Sequence, residues 1–175
     1  MAKITYYTSA VQRDDSCSSG FSGRMTTKTV CGIDGTSSEN KNNIDPVTTD
    51  LPTTDIKTAE LVAVQTALEH AVEMGATIGT KLSVWADNKQ VVDWIHGDMY
   101  DQEYDFDNVQ TEIVQTIRSL LKRLGRKKNW AIVQHRTNDN SLSKAIKEAL
   151  GIDEKPAPVN ALDVLAKAKE KYGSK

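Results

Sequence analysis

Thr58–Gly97 reads TAELVAVQTALEHAVEMGATIGTKLSVWADNKQVVDWIHG, and its three segments decide the fold. The first repeats apolar residues at helical spacing, with Leu61, Val64, Leu68, Ala71 and Val72 on one face, and Gly75 stops it. The second, LSVWA, is a short apolar run that suits a buried strand. The third, NKQVVDWIHG, is a short helix with Val91, Val92 and Ile95 apolar and Gly97 at its end. Two carboxylates sit at the joints: Glu60 near the start of the first helix and Asp87 at the end of the strand. Each has a plain structural use, Glu60 in the helix dipole and Asp87 as a helix cap. Carboxylates at these two joints can also converge on a divalent cation.

Outward from this stretch, residues 3–11 (KITYYTSAV) are β-branched and aromatic, which predicts a strand. QRDDSCSSG is turn-like, and residues 20–36 predict one or two strands, as a hairpin. Residues 36–54 are polar and carry Pro46 and Pro52, which predicts a long surface loop. After Gly97, residues 98–107 hold five acidic residues in ten and read as a solvated loop. Residues 108–124 predict the longest amphipathic helix, with Val109, Ile113, Ile117, Leu120, Leu121 and Leu124 inward and Gly125 as its stop. WAIVQH is a second buried-strand pattern. A further helix starts near Asn140 or Ser141, turns Leu142, Ala145, Ile146, Ala149 and Leu150 inward, and stops at Gly151. Beyond KPAP, residues 159–172 predict a separate lysine-rich amphipathic helix. The element order is strand, strand, strand, helix, strand, helix, helix, strand, helix, which predicts a mixed sheet with helices on its faces.

The chain has 175 residues and a net charge of −2, so one domain of ordinary size is expected and general polyanion binding is not. Cys17 and Cys31 form no disulfide framework and read as free thiols in a reducing compartment. No apolar run approaches the ~20 residues of a membrane span, and no signal-peptide core opens the chain. A soluble, cytoplasmic protein is the expectation, with a domain over residues 1–150 and a helical tail over 151–175.

The order of elements and these motifs resemble the ribonuclease H family over roughly residues 3–150. TAELVAVQTAL is similar to the family helix that carries its second catalytic carboxylate, here Glu60. LSVWADNKQVVDWIHG is similar to its fourth strand and next helix, with the third carboxylate at Asp87. IVQH before a helix resembles the last strand and the mobile histidine, here His135. The resemblance implies an RNase H-like mixed five-stranded sheet with flanking helices, here with a C-terminal helical extension. It also implies four carboxylates that bind two Mg²⁺ or Mn²⁺ ions to cut the RNA strand of an RNA–DNA hybrid. Two cations offset the charge that phosphodiester cleavage concentrates on the phosphorus oxygens.

Two of the four positions depart from that pattern. Counted along the first strand, the first carboxylate falls on Ser9, which carries no charge. A rival alignment uses Asp14-Asp15-Ser16-Cys17 and makes Asp14 (or Asp15) the first carboxylate. Counted from Asn140, the fourth falls on Lys144, with Asp139 nearby. Glu60 and Asp87 are thus the candidate metal ligands if the protein is active, with Asp14, Asp139 and His135 as further catalytic candidates.

Arg118, Lys122, Arg123, Arg126, Lys127 and Lys128 place six basic residues within eleven. They read as a solvated helix end or as a phosphate-contacting patch. Trp94 is core or a stacking surface for a sugar or base. The partners expected are RNA, RNA–DNA hybrid or a ribonucleoprotein, and a protein partner at the C-terminal helix. A weakened or lost hydrolase, an active Mg²⁺-dependent ribonuclease H and a protein-interaction scaffold all fit the sequence.

Overall fold

The computed structural model describes residues 2–13, 15–31, 36–53, 55–97, 108–125, 131–135 and 141–151. The elements are β1 (Ala2–Gln12), β2 (Cys17–Cys31), β3 (Thr36–Leu51), α1 (Ile56–Glu73), β4 (Lys81–Ala86), α2 (Lys89–His96), α3 (Asn108–Arg123), β5 (Ala131–His135) and α4 (Ser141–Ala149). They form one five-stranded sheet in the order β3-β2-β1-β4-β5. The β1–β2 and β2–β3 pairs are antiparallel, and β1–β4 and β4–β5 are parallel. Among the described residues, no helix is long and apolar enough to cross a membrane. The helical tail expected over 151–175 lies, apart from Gly151, outside them.

The period-two alternation of β1 and β4 sends side chains to two faces. Ile4, Tyr6, Leu82, Val84 and Ala86 join the larger core with Leu61, Val64 and Leu68 of α1 and Ile117 and Leu121 of α3. Tyr7 and Trp85 turn the other way and pack with Leu142, Ile146 and Leu150 of and just beyond α4. A helix therefore fits on each side of the sheet. Gly20 permits the close approach of α4: a Cβ there would meet the Val47 carbonyl at 2.2 Å and Ile146 Cδ1 at 2.9 Å. Cys17 is a buried free thiol, while the Cys31 side chain lies outside the described residues.

The order of elements is the expected one, but three local readings change. Residues 36–51 are a strand and not a loop, and 17–31 form one long strand whose antiparallel partner is β3 rather than a second strand within 20–36. β3 is the sheet edge, so most of its side chains face water and its polarity carries no loop signal. Pro46 sits at a bulge: Phe21 pairs with Val47 and Gly23 with Ile44, leaving Asp45 and Pro46 across from Ser22. A proline without an N–H is tolerated there. Third, Val109 is 57% exposed and does not belong to the inner stripe of α3. The buried positions are Gln110, Val114, Ile117, Leu121 and Leu124. Gln110 is admitted to that stripe because its Nε2 donates to Asp55 Oδ2 at 2.6 Å and to Thr58 Oγ1 at 3.0 Å.

Candidate functional site

The parallel register pairs Thr8 with Ala86, so Ser9 comes level with Asp87 at the end of β4. Ser9 is 4% exposed, and its Oγ donates a hydrogen bond of 2.9 Å to Asp87 Oδ2. The group of β1 that meets Asp87 is thus a hydroxyl and not a carboxylate. Gln12 lies three residues, roughly 10 Å, further along the strand, and the β1–β2 turn closes with Arg13 N–H donating to Ser16 O. Asp15 is exposed in that turn, and Asp14 lies outside the described residues.

Asp87 is not the cap of α2. Asn88 is, its Oδ1 accepting from the N–H of Gln90 at 2.9 Å and of Val91 at 3.4 Å. The Asp87 carboxylate therefore remains for the site, and its backbone carbonyl accepts from His135 Nε2 at 3.1 Å. That bond ties the end of β5 to the end of β4.

Glu60 is the fifth residue of α1, past the first turn, where no acidic residue stands. The cap there is Asp55, which accepts from Lys57 N–H at 3.0 Å. Glu60 is therefore not held by the helix terminus. Its Oε2 is buried with no hydrogen-bond partner among the described residues. Burial pushes its pKa from 4.5 up to about 7; a hydrogen bond from the Asn88 side chain opposes this, Asp87 and Asp55 add to it, and Lys57 subtracts. With Asn88 Oδ1 spent on the cap, its amide N–H₂ is what serves Glu60. Asn88 thus links the two acids, a role the sequence reading missed although an asparagine before a helix pattern was visible.

The remaining candidates divide. Arg118 donates to the carbonyls of Trp94 and Ile95, at 2.9 Å each, and to that of Gly97, so it closes the C-terminal end of α2. Lys122 and Arg123 are exposed in the last turn of α3. Arg126, Lys127, Lys128 and Asp139 lie outside the described residues. Lys144 is exposed on α4. Trp94 is 3% exposed, a core residue, with Lys57 Nζ 5.4 Å from its ring centroid.

The described donors are two carboxylates, Glu60 and Asp87, with neutral Ser9 and Asn88 between and beside them. Among the described residues no group of three or more His, Cys, Asp or Glu side chains is placed to hold a metal ion. Beside Asp87 the described residues place the Ser9 hydroxyl, and Asp14 and Asp139 lie outside them.

No protein-family model matches the chain. No curated protein matches it either. Solved structures do. LC11-RNase H1, isolated from compost by a metagenomic approach and solved in complex with an RNA/DNA hybrid, is 17% identical, with 85% of this chain and 96% of that one covered and a TM-score of 0.50. The foamy viral protease-reverse transcriptase in complex with RNA/DNA hybrid is 15% identical, with 86% of this chain and 19% of that one covered and a TM-score of 0.52. A selenomethionine-labelled mutant of the prototype foamy virus enzyme is 15% identical, with 99% and 21% covered and a TM-score of 0.51. At these identities the likeness shows the fold alone: an RNase H-like α/β domain with a mixed five-stranded sheet.

Proposed function

We propose that this RNase H-like domain is a nucleic-acid-associated protein whose hydrolytic activity is weakened or lost. The observation that carries the reading is the Ser9 hydroxyl donating to Asp87 Oδ2. A hydroxyl cannot supply the charge that holds paired cations. Glu60, raised to about 7, is the remnant of a carboxylate cluster, kept partly protonated near neutrality by its burial. RNA, RNA–DNA hybrid or a ribonucleoprotein is the partner, bound through the sugar–phosphate backbone. LC11-RNase H1 and the foamy viral enzyme, both solved with hybrid, support that partner class.

Binding of hybrid, RNA and duplex DNA across a salt series tests the partner. Affinity falls as salt rises, and charge reversal at Arg126, Lys127 and Lys128 reduces it. Absence of binding at low salt would leave the protein-interaction scaffold as the better reading.

A second reading rests on Glu60 Oε2, since a buried acceptor without a donor is what a bound cation satisfies. In it, Asp14 (or Asp15) and Asp139 complete an active site that uses Mg²⁺ or Mn²⁺, and His135 assists. Cleavage of hybrid separates the two readings.

A further inference from the structure

The sheet face that carries α4 also carries a row of cations at the opposite end of the strands from Ser9. Lys3 of β1 pairs across the parallel ladder with Lys81 of β4. On its other side Lys3 pairs with Thr26 of β2, and Thr26 with Lys41 of β3. Registered residues share a face, so Lys41, Lys3 and Lys81 stand in one row, with neighbouring strands about 4.8 Å apart. All three are exposed. Like charges directly opposite each other destabilise a sheet, so the fold itself gains nothing from Lys3 beside Lys81.

Next to this row is a cavity of about 280 Å³, lined by Lys3, Arg24, Lys41, Trp85 and Ser141 among others. Arg24 is braced over it, Nε donating to Asn43 Oδ1 at 3.0 Å and Nη2 to Ser141 Oγ at 3.1 Å. Among the described residues, three of its five N–H donors have no partner. Trp85 is half-buried and held edge-on against Tyr7, with ring centroids 5.5 Å apart, so its ring is fixed before anything binds. Glu39 is in the lining too, across from Lys28 in the β2–β3 register, so the lining sets Lys3, Arg24 and Lys41 against one acid.

We infer that this face binds a single-stranded nucleic acid, with phosphates on Lys3, Lys41, Lys81 and Arg24 and one unpaired base in the cavity against Trp85. Cations along a backbone track with an aromatic platform beside them is the chemistry that holds single strands. A duplex keeps its bases stacked inside and has none to place in the cavity. Lys3 lies six residues, roughly 20 Å, from Ser9 along β1, so this contact is separate from the Glu60–Asp87 site and requires neither acid.

The experiment uses the full chain with labelled oligouridylate, oligothymidylate and a blunt RNA–DNA hybrid, read by fluorescence anisotropy over a salt series. The variant is Lys3→Gln/Lys41→Gln/Lys81→Gln, which alters only exposed side chains. Removing three cations that neutralise phosphates of a single strand lowers the salt slope by about 2, at about 0.7 each. Affinity for single strands then falls at least tenfold at low salt, while affinity for the hybrid stays near the wild-type value. A 5-iodouridine oligomer crosslinks to Trp85, identified by mass spectrometry. The two oligomers distinguish RNA from DNA as the strand. Unchanged slope and affinity in the triple variant, equal loss on the hybrid, or a crosslink elsewhere overturns the inference. If the wild type holds hybrid but no single strand, the inference fails and the proposed function stands. If it holds single strands through this face and no hybrid, hybrid falls from the proposed partners while this inference stands.

Discussion

Replacing Glu60 with Gln tests the electrostatics of the site without disturbing its shape. A carboxyl that folding moves from 4.5 to about 7 opposes folding by about 1.4 kcal/mol for each pH unit between those values. With its partial exposure counted, the penalty is about 2 to 3 kcal/mol. Below pH 4.5 the carboxyl is protonated in both folded and unfolded chains, and there is no penalty. Between 4.5 and 7 the unfolded chain ionises first, so stability falls as pH rises. Above 7 both states are ionised and the loss is constant. Gln does not ionise, so Glu60→Gln gains on the wild type through that window and keeps its gain above it. Urea denaturation of both proteins from pH 4 to pH 8 measures the difference, in which titrating groups remote from Glu60 cancel. The groups facing Glu60 are Asp87 and Asp55, which strengthen the effect, and Lys57 and Asn88, which weaken it. A stability difference that is flat with pH would refute the reasoning, as would one that shrinks with rising pH.

Two further outcomes concern the frame that holds the site. Gly20→Ala forces a Cβ to within 2.2 Å of the Val47 carbonyl, so α4 or β3 must move, with a loss of at least about 1 to 3 kcal/mol in urea denaturation. Arg118→Met takes this donor from the carbonyls of Trp94, Ile95 and Gly97 and lowers stability by about 2 to 3 kcal/mol, whereas Lys122→Met and Arg123→Met, at exposed positions, stay within about 0.5 kcal/mol of the wild type.

The stretch from Thr58 to Gly97 was legible because each of its segments carries one strong period. α1 buries Leu61, Val64, Leu68 and Ala71, and Gly75, at φ 88°, ends it in a conformation that favours glycine. Counting along β1 also reached Ser9, because strand and register have fixed spacing. Edges and exceptions were not legible. β3 lies at the rim of the sheet, where burial does not impose alternation, and Pro46 reads as a loop signal although it sits at a bulge. Gln110 took a core position through two hydrogen bonds that join residues more than fifty apart, so the α3 stripe was misread only at its start, where Val109 is exposed, and holds from Ile113 to Leu124. The cap of α2 was one residue further on than Asp87, and that single step separates a structural acid from one that faces Ser9. Arg118 looked like its basic neighbours because composition does not tell which cation of a helix turns toward the next helix.

On the proposed reading, the Ser9 hydroxyl stands where a hydrolytic centre needs charge. Turnover of an RNA–DNA hybrid by the wild-type chain, measured in Mg²⁺ and in Mn²⁺ beside Asp87→Asn, tests it most directly. Hybrid is expected to bind and stay essentially uncut in either metal, with Asp87→Asn indistinguishable from the wild type. Robust cleavage that Asp87→Asn abolishes would contradict it and assign the protein as an active ribonuclease H.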